Sequence, residues 1–373
     1  MELTIKHIIS SIEELAPLAY AEDFDNVGLL VGDENTRVQG VLVTLDTLES
    51  VVDEAIEKKC NLIVSFHPII FSGLKKLTGS NYVERTVIKA IQHNIAIYAM
   101  HTALDNVIDG VSAKMAEQLG INQVNILMPK KGYIHKLSVY APEEDALAVR
   151  KALFAAGAGA IGNYDNCSFN AKGIGTFTGN EQSNPVKGNK GKFTQSLEIL
   201  ISVVYEKPKE AAILKSLREA HPYEEVAYEI VQTENTHQHI GMGVVGELNP
   251  PMSQTDFLEL LKETFNSACI RHTSTTEHPI KKVALLGGSG SFAISAAKRM
   301  GSDAFVSADF KYHDFFQAEN KILLVDVGHY ESEQFTKNLL VDYLTKKIRN
   351  FAPALPSSRV FLSETNTNPV NYK

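Results

Sequence analysis

The sequence is short of cysteine, of net positive charge and of long apolar runs, and each shortage removes a class of protein. Cys60, Cys167 and Cys269 are odd in number and show no CxxC spacing. A disulfide framework is therefore not expected, and a reducing, cytoplasmic location is. Lys and Arg total 36 against 44 Asp and Glu, giving a formal charge of -8. Nucleic-acid backbones are held by clustered cations, so direct nucleic-acid binding is not expected. No stretch approaches the roughly 20 apolar residues of a membrane span. Glu2, Lys6, His7, Glu13 and Glu14 also break up the N-terminal apolar residues that a secretory signal keeps together.

What is present is a soluble-type composition, 44% hydrophobic over 373 residues, long enough for two or three domains. Apolar spacing predicts a helix over residues 3–19, a turn and strand over 25–32 and a strand over 40–46. Helices over 49–59, 81–94 and 110–119 alternate with strands ending at His67 and His101. That alternation predicts an α/β fold with a doubly wound, mostly parallel sheet.

The pattern changes after residue 130. Residues 131–236 read as strand, helix, a Gly-, Asn- and Ser-rich stretch over 157–192, strand, helix and strand. This order predicts an inserted ferredoxin-like α+β domain. From residue 237 the first character returns, with helices over 253–265, 292–300 and 332–348 and strands over 282–286, 304–307 and 321–327. Residues 1–130 and 237–373 are therefore expected to form one discontinuous domain, with the insertion starting and ending close in space.

Three apolar runs end in imidazole and carboxylate: Ser65-Phe66-His67-Pro68, His101-Thr102-Ala103-Leu104-Asp105 and His329-Tyr330-Glu331-Ser332-Glu333. Ligands bind outside the carboxyl ends of strands in open α/β sheets, so three such ends would make a metal site. Asp105 is four residues beyond His101 and Glu333 four beyond His329, a spacing that puts each pair on one face of a helical turn. Mixed imidazole and carboxylate donors suit divalent zinc, iron, manganese or nickel, and two carboxylates can bridge two ions about 4 Å apart. The plainer reading is helix-cap and core residues.

Asp309 and His313 also follow a strand at four-residue spacing and are candidates for moving protons or for supporting the ligands from behind. The Gly287-Gly288-Ser289-Gly290-Ser291 loop matches neither GxxxxGK(S/T) nor GxGxxG and reads as a tight turn before an anion cradle.

Taken in order with Phe24-Asp25-Asn26-Val27-Gly28-Leu29-Leu30-Val31-Gly32 and Ser307-Ala308-Asp309-Phe310-Lys311-Tyr312-His313, these motifs span nearly the whole chain. The chain resembles the NIF-three-like family, also called the domain-of-unknown-function-34 family and named for homology to GTP cyclohydrolase type two. The resemblance implies two α/β halves, a PII- or CutA-like insertion, and a dinuclear centre of two divalent ions per chain. It further implies a toroidal homohexamer with the sites facing an internal cavity. By position it makes His67, Asp105, His329 and Glu333 the ligands.

One departure stands out. Phe66 occupies a place where the family commonly has a second adjacent histidine, so one metal position loses a ligand or takes His101 instead. The function implied is metal-dependent hydrolysis of a small, nucleotide-like substrate. The name points to water attack at C8 of a guanine ring with loss of formate. The alternatives are a metal-responsive binding or regulatory protein without turnover, and a hexamer whose metals are structural.

Overall fold

Ile5, Ile8, Ile9 and Ile12 recur at helical spacing and all are buried in the helix they drive, α1 (Ile5–Leu15). Pro17 disfavours helical geometry at the residue before it, so α1 stops short of the expected residue 19. A 3-10 turn at Leu18–Tyr20 follows. The computed structural model describes residues 3–274, 278–351 and 359–373.

The N-terminal segment continues with β1 (Gly28–Val31), β2 (Val41–Thr44), α2 (Glu49–Glu57), β3 (Leu62–Ser65) and α3 (Tyr82–Gln92). It ends with β4 (Ala96–Ala99), α4 (His101–Asp105), α5 (Val111–Gln118) and β5 (Asn122–Pro129). The middle segment holds β6 (Ile134–Pro142), α6 (Ala146–Ala155), β7 (Phe169–Thr178), β8 (Phe193–Glu206), α7 (Glu210–Ala220) and β9 (Tyr228–Gln232). The last segment begins with β10 (Gly241–Met252), α8 (Gln254–Thr264), β11 (Arg271–His272), β12 (Ile280–Ser289) and α9 (Ile294–Arg299). It closes with β13 (Ala304–Ala308), β14 (Leu323–Asp326), α10 (His329–Glu333), α11 (Thr336–Phe351) and β15 (Val360–Leu362).

Two compact units result, Met1–Pro129 with His239–Lys373, and Lys130–Gln238. In the larger unit one sheet runs β1-β4-β3-β2-β15, with every pair parallel except β1 with β4. Every residue of β2, β3 and β4 is buried, which a parallel sheet covered on both faces requires. Ile8 and Ile12 of α1 and Leu340 and Leu344 of α11 cover one face, and Val51, Val52 and Val87 of α2 and α3 the other.

The second sheet runs β11-β14-β13-β12-β10-β5. Only β12, β13 and β14 are parallel, so the expected mostly parallel character holds for the first sheet and not for this one. At one edge the cause is the insertion: β5 and β10 pair antiparallel with Pro129 opposite Gly241, so the middle unit leaves and re-enters as the loop of a hairpin.

The smaller unit has the order β6-α6-β7-β8-α7-β9 and an antiparallel sheet β7-β8-β6-β9, the ferredoxin-like arrangement. Leu137, Val139, Ile201 and Val203 meet Val149, Leu153, Ile213 and Leu217 of α6 and α7 in its core. β7 lies inside the stretch read as Gly-, Asn- and Ser-rich loop. Its residues are mostly exposed, so it lacks the apolar alternation that marks a strand.

Beyond β15 the chain is pinned to α2. Glu54 accepts hydrogen bonds from Ser363 Oγ at 2.6 Å, Thr365 Oγ1 at 2.7 Å and the Glu364 N–H at 2.9 Å.

Candidate metal centre

Asp46, His67 and His101 lie just past the ends of β2, β3 and β4, and Asp309 and His329 just past β13 and β14. Both sheets of the larger unit thus deliver side chains from their carboxyl ends. The Ser65 hydroxyl donates to the His67 carbonyl at 2.7 Å, and the His67 N–H donates to the Leu45 carbonyl at 2.9 Å, fixing the backbone that carries the imidazole.

His67 Nδ1–H donates to Asp46 Oδ1 at 2.8 Å, and its Nε2 lies 3.1 Å from Glu333 Oε2. His329 repeats the arrangement from the other sheet, with Nδ1 2.7 Å from Asp309 Oδ2 and Nε2 3.2 Å from the same Glu333 oxygen. A carboxylate can only accept, so each Nδ1 keeps a proton toward Asp46 or Asp309, and the Nε2 that faces Glu333 is the nitrogen a metal would take in exchange for a proton. Ligand atoms of His67, His329 and Glu333 all lie within 4.8 Å of one another.

Glu333 is buried, and its Oε2 is shut off from solvent beside the two imidazole Nε2 atoms. Burial raises its pKa, but the charges of His67 and His329 outweigh that and hold the carboxyl down to about 2. Burial likewise disfavours charge on His67, yet Glu333 and Asp46 lift it to about 10. Asp309 and Glu333 overcome the same penalty at His329 and lift it to about 11. In effect two imidazolium ions neutralise Glu333 from the side a metal would occupy, and an ion entering would displace their protons.

His101 and Asp105 occupy the single turn of α4, as their spacing predicted. His101 Nδ1 is 2.9 Å from Asp25 Oδ1, while the Thr102 N–H and hydroxyl donate to Asp25 Oδ2 at 3.0 and 2.5 Å. These bonds hold the Asp25 carboxyl at about 2 against the opposing effect of burial. Asp105 Oδ1 is shut off from solvent and has no partner. Burial first, and then the charge of Glu333, push the Asp105 pKa well above the usual carboxylate range.

The rings of His67 and His101 are 5.3 Å apart and those of His67 and His329 5.5 Å. Phe66 is fully buried against them, its ring 4.9 Å from His67 and 5.6 Å from His101.

The backbone is unusual here as well. His101 at φ 31° and Asp309 at φ 57° are non-glycine residues in the left-handed region. Such positions cost on the order of 1–3 kcal/mol and persist where surrounding contacts impose them. Gly288, at φ 66°, also answers a steric demand, because a Cβ there would collide with Glu333 Oε1. The glycine segment ends β12 and leaves room for Glu333; it is neither a free turn nor an anion cradle.

The structure brings His67, His329 and Glu333 together and sets His101 and Asp105 beside them. Asp309 supports His329 and also accepts from the Ser289 hydroxyl. His313 lies apart, because a 3-10 helix at Tyr312–Ala318 replaces the α-turn its spacing suggested. Its exposed ring rests against Tyr312 and Phe316.

Sequence reasoning missed the supporting acids Asp25 and Asp46, although both were visible beside apolar runs. It also missed Thr367, whose hydroxyl donates to Asp46 Oδ2 at 2.6 Å. Two solvent-excluded carboxylate oxygens, Glu333 Oε2 between two imidazole nitrogens and Asp105 Oδ1 without a hydrogen-bond partner, fit a borderline divalent cation.

Comparison with known proteins agrees with this architecture. The family model described as Duf34/NIF3 (NGG1p interacting factor 3) matches residues 3–369. A relative from Bacillus subtilis (strain 168), named GTP cyclohydrolase 1 type 2 homolog, is 37% identical over 370 residues and covers 98% of both chains. One of the same name from Staphylococcus epidermidis is 32% identical over 372 residues, covering 100% of both. The crystal structure of a Bacillus cereus protein related to NIF3 superimposes with a TM-score of 0.85 at 34% identity over 100% of both chains. Because the match runs unbroken through both halves of the cleft and the unit inserted between them, this chain belongs to the Duf34/NIF3 family.

Proposed function

We propose that this protein binds two divalent metal ions and uses them to hydrolyse a small, nucleotide-like molecule. His67, His329 and Glu333 would hold one ion and Asp105, with His101, the other. The observation that carries the reading is the convergence of two Nε2 atoms, 3.1 and 3.2 Å away, on one solvent-excluded Glu333 oxygen.

A divalent ion in this position would polarise a carbonyl or phosphoryl oxygen and make a bound water nucleophilic near neutral pH. Asp46 and Asp309 keep the imidazoles in the coordinating tautomer and orientation. Asp309 Oδ2 takes both hydrogen bonds, from His329 and Ser289, and that from His329 does most to keep the carboxyl ionised. Phe66 is fully buried and contributes no ligand, so the second ion is the weaker one. The nucleotide-like substrate rests on the name of the relatives.

A second reading, a metal-responsive binding protein without turnover, is favoured by the middle unit. That unit carries its own cavity of about 980 Å³, between Phe177, Tyr223 and Glu198. On either reading we take the middle unit as PII/CutA-like, the assembly as a homohexamer and the location as cytoplasmic.

Metal content per chain, measured on protein purified without chelator, tests the proposal for the wild type, Asp105→Ala and Glu333→Ala. About two ions in the wild type, falling in both variants, supports it. No metal, or content unchanged by either substitution, overturns it. Nucleotide hydrolysis by the loaded wild type but not by Glu333→Ala then separates the enzyme from the binder.

A further inference from the structure

The cavity of about 340 Å³ beside the metal centre is lined by carboxylates, Asp46, Asp309, Asp326 and Glu331, and by one guanidinium, Arg271. On charge alone it would repel an anion. The carboxylates, however, are already engaged. Asp46 accepts from His67 and Thr367, and Asp309 from His329 and Ser289. Asp326 accepts from Arg271, from the Phe310 N–H at 3.0 Å and from the Gly328 N–H at 3.1 Å. Glu331 accepts from Asn368 Nδ2 at 3.0 Å.

Arg271 is the reverse case. It gives Nη2 to Asp326 and lies 5.6 Å over the Phe315 ring, and its side chain remains 53% exposed. A guanidinium has five N–H donors in a planar fork, so most of them are left for a ligand.

Its position relative to the metal ligands is fixed. Arg271 on β11 is the register partner of Asp326 on β14, and the same strand leads directly into Gly328 and His329. A rigid, half-exposed fork therefore faces the cavity at a set distance from the imidazoles, which is how a substrate is held by one end while it reacts at the other.

We propose that Arg271 anchors an oxyanion, so that this site takes a small molecule carrying a phosphate or carboxylate group remote from the bond that reacts. The cavity is at the small end of ligand sites, which run from about 300 to 1,000 Å³, and suits a compact molecule. This assignment rests on the metal reading above.

Inorganic phosphate and acetate are the probes, titrated calorimetrically into the full chain for the wild type, Arg271→Lys and Arg271→Met. Each protein is used zinc-loaded and chelator-treated, with zinc content measured separately. In the zinc-loaded form, Arg271→Met should weaken anion binding by about tenfold or more, the loss of a charge-assisted bidentate contact. Arg271→Lys should fall between, and zinc content should be the same in all three. Tighter binding of phosphate than acetate identifies a phosphate group, and the opposite order a carboxylate.

Equal affinities in the wild type and Arg271→Met overturn the proposal, because the anion then sits on zinc alone. Absence of anion binding to the wild type overturns it too. If the wild type holds no zinc, the metal reading fails by itself and the anchor is judged by the same ratio in the chelator-treated protein. Asp326 keeps its two backbone donors in Arg271→Met, and Arg271→Lys keeps the ion pair, so the fold is retained for the comparison.

Discussion

His101 with Asp105 and His329 with Glu333 share a sequence spacing, a single helical turn and a place just beyond a parallel strand, yet they arrive at different chemistry. Glu333 faces two imidazole nitrogens and is held ionised at about 2. Asp105 faces no donor through its Oδ1, and its pKa is pushed up. Spacing fixes which face of the turn a side chain shares. What stands across the cleft decides whether that face becomes a charged, converging site. On the His329 side the opposing element is His67; on the His101 side the buried ring of Phe66 is part of the wall.

The sharpest test of that contrast exchanges the two acids for their amides. Glu333→Gln should empty the site, with a loss of metal affinity larger than the roughly 10–100-fold that supporting residues cost. Asp105→Asn should keep one ion per chain by plasma mass spectrometry. Equal losses in the two variants would erase the distinction.

Phe66→His attacks the other side of the comparison. It should tighten binding of the second, weaker ion in a chelator competition assay, while urea unfolding of the metal-free protein shows a loss of about 2 kcal/mol for a polar ring in an apolar setting. Next come the supporting acids: Asp46→Ala and Asp309→Ala should each weaken metal binding by about 10–100-fold in a chelator competition assay. Asp25→Ala should change only the second, weaker equivalent. Thr367→Val removes one hydroxyl hydrogen bond to the Asp46 carboxylate and should cost about tenfold in the same assay. His313→Ala should leave metal content unchanged; a loss there would place its ring in the site after all.

Much of this was legible in the sequence because strands that end in His and acid are short, apolar and local. His67, His329 and Glu333 follow runs whose burial is complete, so their position at a sheet end could be read from composition alone. Asp46 has the same kind of address and Asp25 sits just before β1, but no spacing links either to a histidine, and their partners His67 and His101 are 21 and 76 residues away. β7 was unreadable because its side chains are exposed on both faces. Part of the mixed character of the second sheet comes from the inserted unit, which turns β5 and β10 into the arms of a hairpin; the antiparallel β10–β12 and β11–β14 pairs add the rest. Gly288 was misread as part of a loop because the collision it avoids, with Glu333, belongs to tertiary structure.

The segment that begins with β15 has a consequence in time. Synthesis runs from the N-terminus, so β2, Asp46 and His67 are made long before Thr367, which bonds to Asp46 across 321 residues. Until β15 arrives, β2 is an open sheet edge, and Glu54 has none of the hydroxyl and N–H donors that later pin the segment. Loop-closure cost grows only slowly with length, so the wait is a matter of order more than of energy. A nascent or cut chain lacking residues 359–373 already carries His67 and His329, the proposed ligands, but not the wall that orients them. Secure metal capture should therefore coincide with completion of this segment, which would keep unfinished chains from holding metal in the mature arrangement.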